Sequence, residues 1–383
     1  MSAPESRPLL FTPLTIRSVT LPNRVVISPM VQYHAKDGFA NDFHLVHLGG
    51  FARGRAGLVF SEGTAVEARG RVTELDTGIW DDAHIAPFRR VVDFIHGEGA
   101  KAAMQLAHAG RKGATQPAPE GNGPLNAQDF AKGRKAWEVV GPTTEPVAPG
   151  WLIPRQLSVA EIGDIVTAFA IGAKRADAAG FDICEVHGAH GYLIASFLSP
   201  ISNTRNDAYG GDRAGRMRIA LEITRAVRAA WPQHKPLFFR VSALDGADGW
   251  NLDDTVALSQ ALKECGVDVV DCSSGGLTGT ATAAPIPRYP GFQVPFASAV
   301  RNQGGVKSMA VGLILDGRQA EAVLRDGHAD LIAVGRQALY DPFWALHAAQ
   351  ELGCDPGFAM WPAEYGWWLE KRSKTLVLPK AAE

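Results

Sequence analysis

One recurring pattern limits the folds open to this chain more than any other feature. A helix-like stretch ends near a glycine, a short continuous apolar run follows, and glycine or polar residues close it. The pattern stands in "ARGRAGLVFSEG", "GEGAKAAMQLAHAG", "ADAAGFDICEVHG", "KECGVDVVDCSSG" and "RDGHADLIAVGR". Apolar runs without alternation read as strands buried on both faces, as in parallel sheets. A glycine ahead of each suits a helix C-terminus. With "RVVISPM", "PLFFRVSA" and "SMAVGLI" there are eight candidate strands, near 25–30, 57–62, 101–106, 181–186, 237–242, 267–272, 309–313 and 331–335. Helical patterns lie between most of them. The clearest opens with a capping box, Ser158 and Glu161, and continues with Ile162, Ile165, Val166, Phe169 and Ala173 at helical spacing. Eight β–α units in series predict an α/β fold, a single (β/α)8 barrel over residues 1–383. An open doubly wound sheet for dinucleotides is disfavoured, because no G-x-G-x-x-G follows the first strand.

Two stretches depart from the alternation. "PLTIRSVTLPNR" before the first strand predicts an N-terminal β-hairpin closing the barrel floor. Residues 112–157, rich in Gly, Pro and Ala, are too long for an ordinary loop and predict an excursion over a site after the third strand. Composition fits a filled core: 46% of residues are hydrophobic and 20% charged. A net charge of −2 without a basic block argues against nucleic acid as partner. No apolar run approaches the ~18 residues of a membrane span, and no secretory signal opens the sequence, so a cytoplasmic location is expected. The four cysteines, Cys184, Cys265, Cys272 and Cys354, lack C-x-x-C spacing and read as reduced, buried thiols.

Barrels of this class carry their chemistry at the C-terminal strand ends. Those ends read "SPMVQY", "SEG", "QLAHAGRK", "EVHGAHGY", "RVS", "CSSGG", "GLI" and "VGR". Gln105, His187, His190, Tyr192 and Arg240 therefore share one mouth, with Tyr33 at its edge. A histidine pair with two glycines in an apolar run is either a satisfied structural cluster, a metal site or a catalytic site. Arg240 inside "LFFRVSA" demands a partner. Gly275, Gly276, Gly312 and the pair Gly335–Arg336 follow the last three strands, where such barrels often hold phosphate.

The segments "SPMVQY", "QLAHAGRK", "EVHGAHGYLIASFLSPISNTRNDAYGG" and "AVGRQALYDP" together resemble the old yellow enzyme family of FMN-dependent ene-reductases. The subgroup resembled is the bacterial, xenobiotic-reductase-like one, and the resemblance runs from about residue 8 to residue 368. It implies tightly bound, non-covalent FMN over the barrel mouth, with NADPH or NADH as reductant in a ping-pong cycle. Ser28, Pro29, Met30 and Val31 match the segment facing the flavin, Gly63 a small residue under its ring, and Gln105 its pyrimidine-edge partner. Arg240 matches the cation near the flavin N1 and O2 atoms; Gly312, Gly335 and Arg336 match the phosphate site. His187 and His190 match the pair that binds the carbonyl oxygen of an α,β-unsaturated substrate, and Tyr192 the proton donor to its α-carbon. Tyr33 matches a further residue lining the substrate space. His44, His47, His108 and Arg111 also fall in matching segments, with packing roles equally open.

One departure stands out: Val31 occupies a position that is commonly cysteine in this subgroup. A C-terminal residue of the subgroup crosses into the partner's active site, and Trp367 or Trp368 falls there. The resemblance thus implies a homodimer or dimer of dimers, with a barrel core over about 8–350 and the tail 351–383 at the interface. Enones, quinones and nitro compounds are all open as substrates, and no metal is expected. The alternative is a metal-dependent hydrolase on the same barrel using His187 and His190. A multidomain dienoyl-CoA reductase would need a cysteine cluster and a further domain, and the sequence offers neither.

Overall fold

A computed structural model describes residues 7–246, 249–279 and 286–376. The chain opens with an antiparallel hairpin, β1 (Leu14–Ile16) and β2 (Val19–Leu21). The barrel strands β3 (Val25–Ile27), β4 (Leu58–Ala65) and β5 (Lys101–Ala107) follow. After β5 the excursion carries a short helix, Ala127–Ala131, and the paired strands β6 (Val140–Gly141) and β7 (Arg155–Gln156). The barrel resumes with β8 (Ile183–Gly188), β9 (Leu237–Ser242), β10 (Val269–Ser273), β11 (Lys307–Ala310) and β12 (Leu331–Val334). The eight barrel strands pair in parallel in chain order, and β12 closes on β3.

The eight strands of the sequence reading are these eight. The largest differences in bounds are at β3, which stops at Ile27, at β4, which runs on to Ala65 across an irregularity between Phe60 and Gly63, and at β11, which stops at Ala310. The helix after "SVAE" spans Val159–Ala178; Ser158 Oγ accepts from Glu161 N at 3.3 Å and Glu161 Oε2 from Ser158 N at 2.9 Å. Its buried face is Ile162, Ile165, Phe169 and Ala173, as the helical period requires. Left-handed glycines at 99, 180, 266 and 327 end the helices before β5, β8, β10 and β12.

Alternation along the strands sorts the core into two layers. Inside the barrel, Val26, Leu58, Phe60, Ala103, Ile183, Phe238, Val269, Met309 and Leu331 pack with Ile16, Val19 and Leu21 of the hairpin, which plugs the floor. The opposite faces, including Cys184, Val186, Phe239 and Cys272, pack against the helices. The inner parity continues upward into polar residues: Gln105 above Ala103, Glu185 and His187 above Ile183, Arg240 above Phe238, Asp271 and Ser273 above Val269. An apolar floor thus carries a polar upper layer at the strands' C-terminal ends.

Candidate active site

β8 ends in the histidine knot. His187 leaves the strand on the inner face, while His190 and Gly191 take left-handed backbone at φ 62° and 71°. The rings of His187, His190 and Tyr192 then converge, with centroids 5.1 Å apart from His187 to each neighbour and 6.4 Å between His190 and Tyr192. His187 Nδ1 accepts the Ala189 N–H at 3.3 Å, so its neutral ring carries the proton on Nε2 as a donor. His190 is held twice: its N–H donates to Ser242 Oγ at 2.9 Å and its Nε2 lies 2.7 Å from Ser273 Oγ. Burial, then the Arg240 charge, holds both imidazoles well below their usual range. Both are therefore neutral hydrogen-bonding groups rather than cations. Burial and the Asp76 charge push the Tyr192 phenol up, so it keeps its proton.

The knot is fastened from the next loops. A Cβ on Gly276 would sit 2.8 Å from His190 Cα, and one on Gly191 2.3 Å from Gly276 O, so these two turns touch backbone to backbone. Lys112 Nζ donates to His190 O at 3.0 Å and Gly276 O at 2.6 Å, and lies 5.6 Å from the Tyr192 ring centroid. Burial pulls Lys112 down to about 7, while the two carbonyls it meets favour the ammonium. Arg111 binds the carbonyls of Leu277 at 2.8 Å and Pro146 at 3.1 Å, joining the excursion to the same loop.

Two connected cavities open on this layer. A cavity of about 700 Å³ is lined by Ser28, Pro29, Met30, Val31, Tyr33, Arg240, Gly312, Gly335 and Arg336, among others. That volume falls within the ~300–1,000 Å³ usual for cofactor sites. A smaller one of about 140 Å³ is lined by Gly63, Gln105, His187, Tyr192 and Asp76, and shares Pro29, Val31, His190 and Arg240 with the first. Three non-glycine residues with left-handed backbone, Tyr33, His190 and Leu313, all line the larger cavity. Strain of about 1–3 kcal/mol each collects at sites that need a fixed geometry.

The cavity's walls fit a flavin mononucleotide. Arg240 Nε lies 3.0 Å from Asp271 Oδ2, out of line for a hydrogen bond; among the described residues no protein acceptor meets its two Nη groups, and Arg240 lines both cavities. Gln105 spends its amide nitrogen on Glu185 Oε1 at 2.8 Å, which leaves its oxygen for a ring N–H. A Cβ at Gly63 would press on that oxygen at 3.3 Å. Arg336 and the glycines at 312 and 335 line the far end, where a phosphate needs a cation and close backbone.

Every catalytic, flavin and substrate residue implied by the resemblance except Trp367 and Trp368 lines one or both cavities. Those two stand on the helix Ala363–Thr375, 55% and 68% exposed, and reach neither cavity of their own chain. Gly275 and Gly276, read as phosphate candidates, also line neither, Gly276 packing on the His190 turn instead. Cys184 faces the helices, away from the mouth, and all four cysteines are free. The sequence reading missed Glu185, Asp271, Lys112 and the buried acids Glu62 and Asp76. For Glu185 and Asp271 a signal existed: each stands two residues from a site or inner-face position, on the same side of its strand. Burial pushes Asp76 up to about 6, and burial with the Asp76 charge pushes Glu62 up to about 8. Among the described residues, no three His, Cys, Asp or Glu side chains gather to hold a metal, which leaves the hydrolase alternative unsupported. No helix among them is long and apolar enough to cross a membrane.

The NADH:flavin oxidoreductase / NADH oxidase family matches residues 9–354 of this chain. The chain belongs to that family. It is 43% identical over 350 residues to the NADPH dehydrogenase of Halalkalibacterium halodurans, covering 90% of this chain and 95% of that protein. The NADPH dehydrogenase of Bacillus licheniformis is 44% identical over 346 residues. Among solved structures, morphinone reductase superposes with a TM-score of 0.74 at 27% identity, covering 91% of this chain and 90% of that one. A 2-naphthoyl-CoA reductase shares the fold at a TM-score of 0.78 and 23% identity; this chain spans only 52% of its length. The protein is an FMN-linked, NADPH-oxidising member of the old yellow enzyme family.

Proposed function

We propose that this flavoenzyme is an ene-reductase that reduces the activated C=C bond of α,β-unsaturated carbonyl compounds, and also accepts quinones or nitro compounds. The observation that carries this reading is the convergence of His187, His190 and Tyr192 beside Arg240 on one small cavity. Bound FMN would supply hydride equivalents taken from NADPH. The protein's own residues would do the rest. His187, through Nε2–H, and His190 would both donate to the substrate carbonyl oxygen, where negative charge grows during reduction. Neutral rings suit this, because a donor that keeps its proton stabilises the oxyanion without protonating it. Tyr192, with its phenol pushed up, would hold a proton until a strongly basic α-carbon draws on it. Arg240 would face the flavin's pyrimidine end, and Gln105 its N–H edge. Val31 lines both cavities and would leave that contact to backbone alone.

A homodimer or dimer of dimers accompanies this reading, with Trp367 or Trp368 closing the neighbour's pocket. Their exposure supports it, since large aromatic rings left bare on a helix are typical of interface cores. The free cysteines suit a cytoplasmic setting. Anaerobic reduction by NADPH and by NADH, followed by reoxidation with a panel of enones, tests the function directly. Rapid reoxidation by cyclic enones is expected. Reoxidation by quinones alone, with enones inert, would overturn the ene-reductase reading.

A further inference from the structure

Directly below the mouth, the barrel interior holds two carboxyls and one guanidinium. Glu185 and Asp271 are both wholly buried, on the inner faces of β8 and β10, and Arg240 stands between them on β9. Arg240 is level with Asp271 in strand register and touches it at 3.0 Å. Glu185 pairs two residues lower, with Phe238, and accepts from the uncharged Gln105 at 2.8 Å; among the described residues its Oε2 has no hydrogen-bond partner. Asp271 meets Arg240 by charge alone, with no hydrogen bond to either oxygen. Two ionised carboxylates would leave this dry layer one charge negative, at a cost of several kcal/mol.

We propose that Glu185 carries a proton in the working enzyme while Asp271 is the ionised partner of Arg240, so that the layer beneath the flavin is neutral and the Arg240 charge remains effective upward. The groups facing Glu185 agree. Gln105 from β5 is uncharged, His187 above it on β8 is neutral, and Asp271 from β10 opposes a second negative charge. Arg240 from β9 favours ionisation, as does the hydrogen bond that Gln105 donates, but Arg240 stands level with Asp271 and nearer to it. Burial and the Asp271 charge accordingly raise Glu185 well above the usual carboxylate range; burial raises Asp271 too, but there the Arg240 charge opposes it and no second carboxylate adds to it. A neutral unpartnered hydroxyl costs about 1–3 kcal/mol, less than a bare carboxylate at the same depth. Functionally, a net negative layer would oppose the negative charge that reduction adds to the ring above. Glu185 is thus a positioning residue, acting through Gln105 and Arg240 on the ease of flavin reduction.

The inference rests on the placement of the flavin's pyrimidine end against Gln105 and Arg240, and the test separates the two. The midpoint potential of bound FMN is measured by spectroelectrochemistry at neutral pH in wild type, Glu185→Gln, Asp271→Asn and Arg240→Met. Glu185→Gln replaces a neutral acid by a neutral amide and should change the reduced-to-oxidised ratio at a fixed potential by less than threefold. Asp271→Asn removes a real charge and should raise that ratio at least tenfold, ~30 mV for a two-electron couple. Equal shifts in the two variants, or the larger shift in Glu185→Gln, would overturn the proposal. An unmoved potential in Arg240→Met would instead remove the flavin placement. If either carboxyl variant fails to fold, infrared difference spectra of the native holoenzyme on reduction decide. A neutral-carboxyl band that moves with ¹³C-glutamate, and persists in Glu62→Gln, supports Glu185. A band that moves with ¹³C-aspartate and persists in Asp76→Asn refutes it.

Discussion

At the scale of single residues, Tyr192 and Glu62 carry the sharpest tests. Tyr192→Phe keeps the ring against His187 and loses only the hydroxyl, so flavin loading and reduction by NADPH should stay near normal. Enone reduction should fall by about 10²–10⁴-fold if the phenol delivers the proton, while quinone reduction, which needs no proton at carbon, is spared. Stopped-flow traces of the two half-reactions give the answer; equal losses with both acceptor types would reduce Tyr192 to a wall of the site. Glu62 accepts the N–H groups of Gln32 at 2.8 Å and Thr77 at 3.1 Å, tying the flavin-side segment to β4. The folded protein holds its proton up to about 8, against 4.5 ordinarily. Between those values the native state binds more protons than the unfolded one, so this group's contribution to stability falls as pH rises. Urea midpoints of Glu62→Gln should therefore fall less than wild type from pH ~5 to ~8, the difference growing by at most ~1.4 kcal/mol per pH unit. Parallel profiles would mean that Glu62 does not hold the proton.

At the scale of elements, the site is a junction between the end of β8, the loop after β10 and the start of the excursion after β5. Gly276 has φ 86°, and its Cα faces His190 backbone with no room for a methyl group. Gly276→Ala should displace the His190 turn and weaken binding of phenols, which mimic the enone oxygen, by at least about tenfold, one lost donor being worth this or more. Flavin loading should change far less, because Gly312, Gly335 and Arg336 lie at the other end of the cavity. Titration of the flavin spectrum with a substituted phenol measures both; an unchanged phenol affinity would show that the turn tolerates the shift. The excursion earns its length through Arg111 and Lys112 at its root, which bind carbonyls of the 276–277 turn.

At the scale of the whole molecule, the hairpin plugs the floor and the tail helix leaves an aromatic pair uncovered. Trp361 already packs on its own chain, stacked on Phe343 with centroids 5.6 Å apart. Trp367 and Trp368 form an edge-on pair at 4.6 Å and find no such cover. Truncation after Pro362 should therefore weaken self-association and raise KM for bulky enones together. Analytical ultracentrifugation with steady-state kinetics checks this, and a truncated protein that stays oligomeric with normal kinetics would remove the tail from the pocket.

The barrel itself was legible in the sequence, because burying a strand on both faces leaves an unbroken apolar run, and a parallel crossover needs a helix and a glycine stop between runs. The positions of His187, His190, Tyr192, Gln105 and Arg240 at one mouth followed from the same pattern, since polar residues at strand ends have only one place to go. The flavin and nicotinamide chemistry came instead from the resemblance of whole segments to a family. Glu185 and Asp271 went unread although each stands two residues from an inner-face position, because a lone carboxyl inside an apolar run draws no notice until its parity is counted. Its direction depends on strand parity, and its charge on which cation lies beside it. The grip of Lys112 and Gly276 on the knot was equally invisible: those contacts join residues 78 and 164 apart in sequence. Local pattern determined which residues form strands and reach the mouth. Only closure of the barrel, which sets β5, β8, β9 and β10 side by side, decided which buried charges face one another.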